Sequence, residues 1–70
     1  MSKMVGLRAV RQKKGYSQLK VAMDLSISRE AISYYENGQR SPDIQMLLTL
    51  SDYFNVSIDY LIRGAEFKEK

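Results

Sequence analysis

Arg29, Glu30, Ser33 and Tyr34 are the residues of this 70-residue chain whose types and spacing carry the clearest chemistry. They fall in the run SREAISYYEN, where Ile32 and Tyr35 stand three apart and share one helical face. With that face turned to a core, the four point the other way. A planar guanidinium such as that of Arg29 can pair two-pronged with guanine O6 and N7. Glu30 could accept from a cytosine amino group or hold Arg29 in place, and the sequence leaves both readings open. One turn further on, Ser33 could bond a base and the Tyr34 ring could pack on a thymine methyl or, alternatively, on the first helix or a neighbouring subunit. The plain alternative for all four is an ordinary solvated helix surface. The chemistry these types could share is hydrogen bonding to base edges, not proton transfer or nucleophilic attack.

The rest of the composition narrows the classes. Cysteine and histidine are both absent, so disulfides, thiolate or imidazole metal sites and nucleophilic triads lack their parts. The remaining carboxylates show no pair spaced for general acid–base work, so the reading is of a non-enzyme with no metal and no cofactor. No apolar run approaches the ~20 residues of a membrane helix. The first residues, MSKMVGL, are too few and too polar for a secretory signal, which makes a cytoplasmic protein without a membrane partner the expectation. The net charge of +3 is unevenly spread. Residues 1–40 hold eight cations (Lys3, Arg8, Arg11, Lys13, Lys14, Lys20, Arg29, Arg40) against three anions, +5, whereas residues 41–70 hold three against five, −2. One half suits phosphate and the other does not.

Five helical segments would have to position these groups. Periodicity predicts a first helix over 5–14 with Val5, Leu7 and Val10 as core residues and Gly15 as its stop, a second over 18–25 and a third over 29–37 ended by Gly38. Ser17 and Ser28 each precede a helix, where a hydroxyl can cap. Ser41-Pro42-Asp43 opens a fourth helix with an acid in its first turn and a wide apolar stripe of Ile44, Leu47, Leu48, Leu50, Ser51 and Phe54. Ser57 caps a short fifth, 58–62, stopped near Gly64, and residues 65–70 are expected to fray. No stretch alternates long enough for a strand. Only about three residues separate the second and third helices, so the two cross steeply. The expectation is one all-α domain over residues 1–70.

The stretch SQLKVAMDLSISREAISYYENGQRSP, with Leu7-Arg8, Arg11 and KKGYSQ before it and LLTLSDYFNVSIDYLIRG after it, resembles the Cro and phage-repressor (Xre-type) helix-turn-helix family over residues 5–64. The resemblance implies a compact five-helix, lambda-repressor-like DNA-binding fold in which the helix from Arg29 enters the major groove. It also implies DNA-backbone contacts at Gln18 and Asn37. A helix N-terminus suits an anion at Gln18; Gln39 and Arg40 lie in the loop beyond, within reach of the strand, and Ser28 either joins them or only caps. Arg11 and Glu36 fall where the family pairs an arginine with the glutamate of its ENG segment, and are read as an internal ion pair that sets the angle of the third helix. Two positions depart from the pattern. Ser26 stands where glycine is usual, at a cost of ~1 kcal/mol if φ is positive, and Leu19 is apolar where the family is polar, either exposed or covering Tyr16.

One such helix reads only about four or five base pairs, so two copies are expected to meet successive major grooves about 34 Å apart. Ile58, Ile62 and Phe67 are the candidate dimer residues, with core packing as their alternative. The function implied is sequence-specific binding of a near-palindromic double-stranded DNA operator by a homodimer that regulates transcription. A protein-interaction module of antitoxin or coactivator type, with a toxin or polymerase as partner, is the alternative.

Overall fold

Each helix but the first begins with a side chain that closes its own first turn. The computed structural model describes residues 3–64, which form α1 (Val5–Lys13), α2 (Gln18–Leu25), α3 (Arg29–Asn37), α4 (Ile44–Phe54) and α5 (Ile58–Arg63), with no strand among them. Ser17 Oγ accepts from Lys20 N at 2.9 Å, Ser28 Oγ from Ala31 N at 3.1 Å, Asp43 Oδ1 from Met46 N at 2.8 Å and Ser57 Oγ from Tyr60 N at 3.0 Å. Each bond satisfies one backbone donor that the helix cannot pair internally. Asp43 is therefore the cap of α4 and not an acid inside its first turn. α1 ends one residue early, at Lys13, with Lys14 as its cap and Gly15 at φ +74° beyond. α2 and α4 stop at left-handed Ser26 and Asn55, α3 and α5 at left-handed Gly38 and Gly64.

The core is Met4, Leu7, Val10, Val21, Ala22, Ile32, Leu50, Phe54 and Leu61, drawn from the segment before α1 and from every helix. α1 packs mainly on α5, α2 on α3, and α4 on α5. The α1–α5 contact is close: a Cβ built on Gly6 would lie 1.6 Å from the carbonyl oxygen of Tyr60. Tyr53 and Phe54 meet edge to face at 4.8 Å between ring centroids, with Tyr16 tilted against both. The Cα radius of gyration, 11.3 Å, matches the ~11 Å expected of a globule of this length.

Val5, which periodicity assigns to the core, is exposed, and so are Ile44 and Leu48 of the wide apolar stripe of α4. Val5 is 55% accessible because it stands at the first turn of α1, on the rim where Gly64 ends α5. Ile44 (76%) and Leu48 (47%) lie about 120° and 160° around α4 from Leu50, outside the sector that the other helices cover. The tail at 65–70, with Phe67, lies outside the described residues.

Candidate nucleic-acid interface

A largely buried ion pair ties α1 to the C-terminal turn of α3. Arg11 on α1 reaches Glu36 on α3 with Nε to Oε2 at 2.6 Å and Nη2 to Oε1 at 3.1 Å, while its Nη1 donates to the Tyr16 carbonyl at 2.9 Å. Glu36 is 4% exposed and is the buried charged residue of the core. Each of the three guanidinium nitrogens thereby makes one bond, two to α3 and one to the α1–α2 loop, so the pair fixes where α3 lies against α1 and that loop.

Gln18, the first residue of α2, extends this network outward. Its Nε2 donates to Glu36 Oε1 at 3.1 Å, and its Oε1 accepts from Arg29 Nη1 at 3.4 Å. The amide can serve both neighbours in only one orientation, nitrogen toward the carboxylate and oxygen toward the guanidinium. A chain therefore runs from buried Arg11 through Glu36 and Gln18 to exposed Arg29. Glu30 makes no hydrogen bond or ion pair among the described residues, so of its two readings the one that ties it to Arg29 is not realised. The family pattern implies only a DNA-backbone role for Gln18; its contact with Arg29, eleven residues on, depends on how α2 and α3 are set together.

The remaining polar groups line the outward side of α3 and the loop after it. Asn37 Nδ2 donates to Ser33 Oγ at 3.3 Å, one turn back. Tyr34 is half-buried, and the Arg40 guanidinium sits 5.0 Å from its ring centroid, a cation–π contact that holds Arg40 beside α3. The backbone N–H groups of Gln39 and Arg40 both close on the Tyr34 carbonyl, at 2.9 and 3.4 Å, so that loop turns tightly over the end of the helix. Ser28 Oγ accepts the capping bond and keeps its own proton for another acceptor. Arg29, Glu30, Asn37, Gln39 and Arg40 are exposed, Gln18 and Ser33 half-buried. Ile58 is also half-buried; Ile62 is 39% exposed.

A second network ties α2 to α4 on another side. The Tyr53 hydroxyl and Lys20 Nζ both donate to Asp24 Oδ2, and Lys20 also lies 4.8 Å from the Tyr16 ring centroid. Burial, reinforced by the carboxylate it donates to, pushes the Tyr53 hydroxyl up to about 12. The same hydrogen bond, with the Lys20 contact, holds Asp24 below the ordinary carboxylate value. The cations of this side and of α5 are paired, Lys20 with Asp24 and Arg63 with Asp59, whereas Lys3, Arg8, Lys13 and Lys14 have no such partner among the described residues. The described residues hold no cluster of three or more potential metal ligands and no helix long and apolar enough to cross a membrane.

The family model described as helix-turn-helix matches residues 7–61. Among curated proteins, the chain is 44% identical over 64 residues to the HTH-type transcriptional regulator ImmR of Bacillus subtilis (strain 168), covering 91% of this chain and 50% of that protein. It is 41% identical over 58 residues to the prophage-derived HTH-type transcriptional regulator YonR of the same organism, covering 83% and 54%. To the HTH-type transcriptional activator BcrR of Enterococcus faecalis it is 38% identical over 60 residues, covering 86% and 29%. The chain spans about half the length of the first two of these relatives. A buried arginine–glutamate pair, two short capped helices joined by a left-handed serine, and a match that runs through all five helices lead to one conclusion: the chain belongs to the Xre-type helix-turn-helix family.

Proposed function

We propose that this domain binds duplex DNA by sequence, with α3 in the major groove, and regulates transcription from operators at which two copies sit. The observation that carries the reading is the chain Arg11–Glu36–Gln18–Arg29, which presents an exposed guanidinium in a set direction at the first turn of α3. A side chain held by its neighbours loses less conformational entropy on pairing with a base edge than a freely rotating one. Arg29 reads guanine; Glu30, with no partner among the described residues, is free to accept from a cytosine amino group on the same edge, and Ser33 and Tyr34 line the next turn. Gln18, Ser28, Asn37, Gln39 and Arg40 hold the two phosphate strands either side. The relatives' names as transcriptional regulators, one of them an activator, support the role and leave the sign to the position of the operator. A domain that acts on chromosomal DNA would work in the cytoplasm at the nucleoid.

A homodimer is the economical way to recognise a site long enough to be rare, with Ile62 the exposed apolar residue of α5 available to it. Selection of bound sites from random duplex DNA tests both parts. A near-palindrome with half-sites about 34 Å apart is expected. A single half-site would remove the dimer, and failure to enrich any motif would remove sequence-specific binding and turn attention to a protein partner.

A further inference from the structure

Lys3 and Arg8 stand together on a face of the domain that the contacts proposed above do not use. Val5, Arg8, Ala9 and Gln12 recur at intervals of three and four, so they form one stripe of α1. That stripe, Lys3 and Glu36 enclose an open groove of about 270 Å³ between α1 and the C-terminal half of α3. Lys3 is brought to it by the backbone: Met4 N donates to the Tyr35 carbonyl at 3.4 Å, and a Cβ on Gly38 would lie 3.1 Å from Lys3 N. The segment before α1 therefore lies against the end of α3, next to Asn37 and the loop that holds Gln39 and Arg40.

We propose that this groove is a further DNA-backbone site, in which Lys3 and Arg8 hold a phosphate of the strand that borders the major groove where the C-terminal end of α3 emerges. The inference rests on the reading that α3 enters that groove. The charge balance favours an anion. Among the described residues Glu36 is the only carboxylate lining the groove, and its charge is already taken up by the two-pronged bond from Arg11. Lys3 and Arg8 are exposed cations with no hydrogen bond or ion pair among the described residues, in contrast to Lys20 and Arg63. Val5 and Ala9 supply apolar surface along which their stems can lie while the charged ends reach outward. Gln12 adds an amide donor at the inner end of the stripe.

The test is binding of a selected operator by the intact chain and by the double variant Lys3→Gln/Arg8→Gln, measured across a series of salt concentrations with hydroxyl-radical footprints of each complex. Losing one phosphate contact in each half-site is expected to lower the slope of log affinity against log salt by about one per bound copy, about two for the pair. Protection of the outermost backbone positions of each half-site should disappear, while the selected base sequence stays the same. The variant Lys3→Arg/Arg8→Lys should restore slope and footprint, and both variants should unfold at the temperature of the parent chain, since both side chains are exposed. An unchanged slope and footprint in the glutamine variant, with the parent chain bound to its operator, overturns the groove as a backbone site and leaves the major-groove reading standing. A parent chain that gives no operator footprint overturns the major-groove reading and this site with it.

Discussion

The Arg29 guanidinium is linked through Gln18 to Glu36 and Arg11, so its performance depends on one side chain proposed at the DNA backbone and on two that lie behind it. Arg11→Met would leave Glu36 buried without its counter-charge, and a loss of about 3–5 kcal/mol in urea unfolding is expected. The double variant Arg11→Met/Glu36→Leu should recover most of that loss, because it removes the stranded charge together with the pair. A single variant as stable as the parent would show that water reaches Glu36. Much of this residue-scale picture was legible beforehand. Arg11 and Glu36 could be matched to a family pairing, and Arg29 stood out by chemistry and register. What could not be read is the bond from Gln18 to Arg29, or the stacking of Arg40 on Tyr34, since each joins groups whose distance is set only when α2, α3 and the following loop are in place.

At the scale of elements, the start and stop signals read well and the breadth of the apolar stripes did not. Ser17, Ser28 and Ser57 cap where a hydroxyl before a helical period predicted a cap, and Asp43 joins them because its carboxylate sits one residue ahead of the turn it closes. Val5, Ile44 and Leu48 fall on apolar faces by period yet lie exposed, because period alone identifies a face without saying how much of it a neighbour covers. Ser26 marks the turn between α2 and α3 at φ +58°, a conformation that favours glycine. Ser26→Gly relieves roughly 1–2 kcal/mol of left-handed strain, against about 0.4–1 kcal/mol for a freer unfolded chain. A net gain of about 0.5–1 kcal/mol in thermal unfolding is expected, with operator affinity unchanged. A loss would mean that the serine hydroxyl contributes a bond worth more than the strain.

For the whole molecule, two contacts decide how the helices close on one another. Gly6 lets α1 lie against the backbone of α5, and no side-chain movement can make room for a methyl 1.6 Å from the Tyr60 oxygen. Gly6→Ala is expected to cost more than about 3 kcal/mol, read as a large fall in unfolding midpoint, whereas Gly15→Ala, with open space around its Cβ position, meets only the strain of its φ. A glycine inside a helical period was the sequence signal of that close approach, but nothing local says which partner it meets. The Asp24–Tyr53 bond joins α2 to α4 and gives the fold an alkaline edge. Because the hydroxyl is raised from 10.0 to about 12 on folding, its contribution is complete below pH 10 and lost as pH rises toward 12. Asp24 shifts the opposite way, so its contribution is present above the ordinary carboxylate range and lost as pH falls through it. Tyr53→Phe should flatten the stability profile between pH 10 and 12; a profile with the parent's slope would place that dependence on other groups.

The most direct test of the central claim, that α3 reads bases through a guanidinium held by Gln18, is the affinity of the parent chain and of Arg29→Ala for four duplexes that differ only at the guanine nearest the start of α3. The parent should prefer guanine by about 1–3 kcal/mol, and Arg29→Ala should bind all four alike, with Gln18→Ala intermediate. A guanine preference that survives in Arg29→Ala would contradict the assignment and move base recognition to another part of the domain.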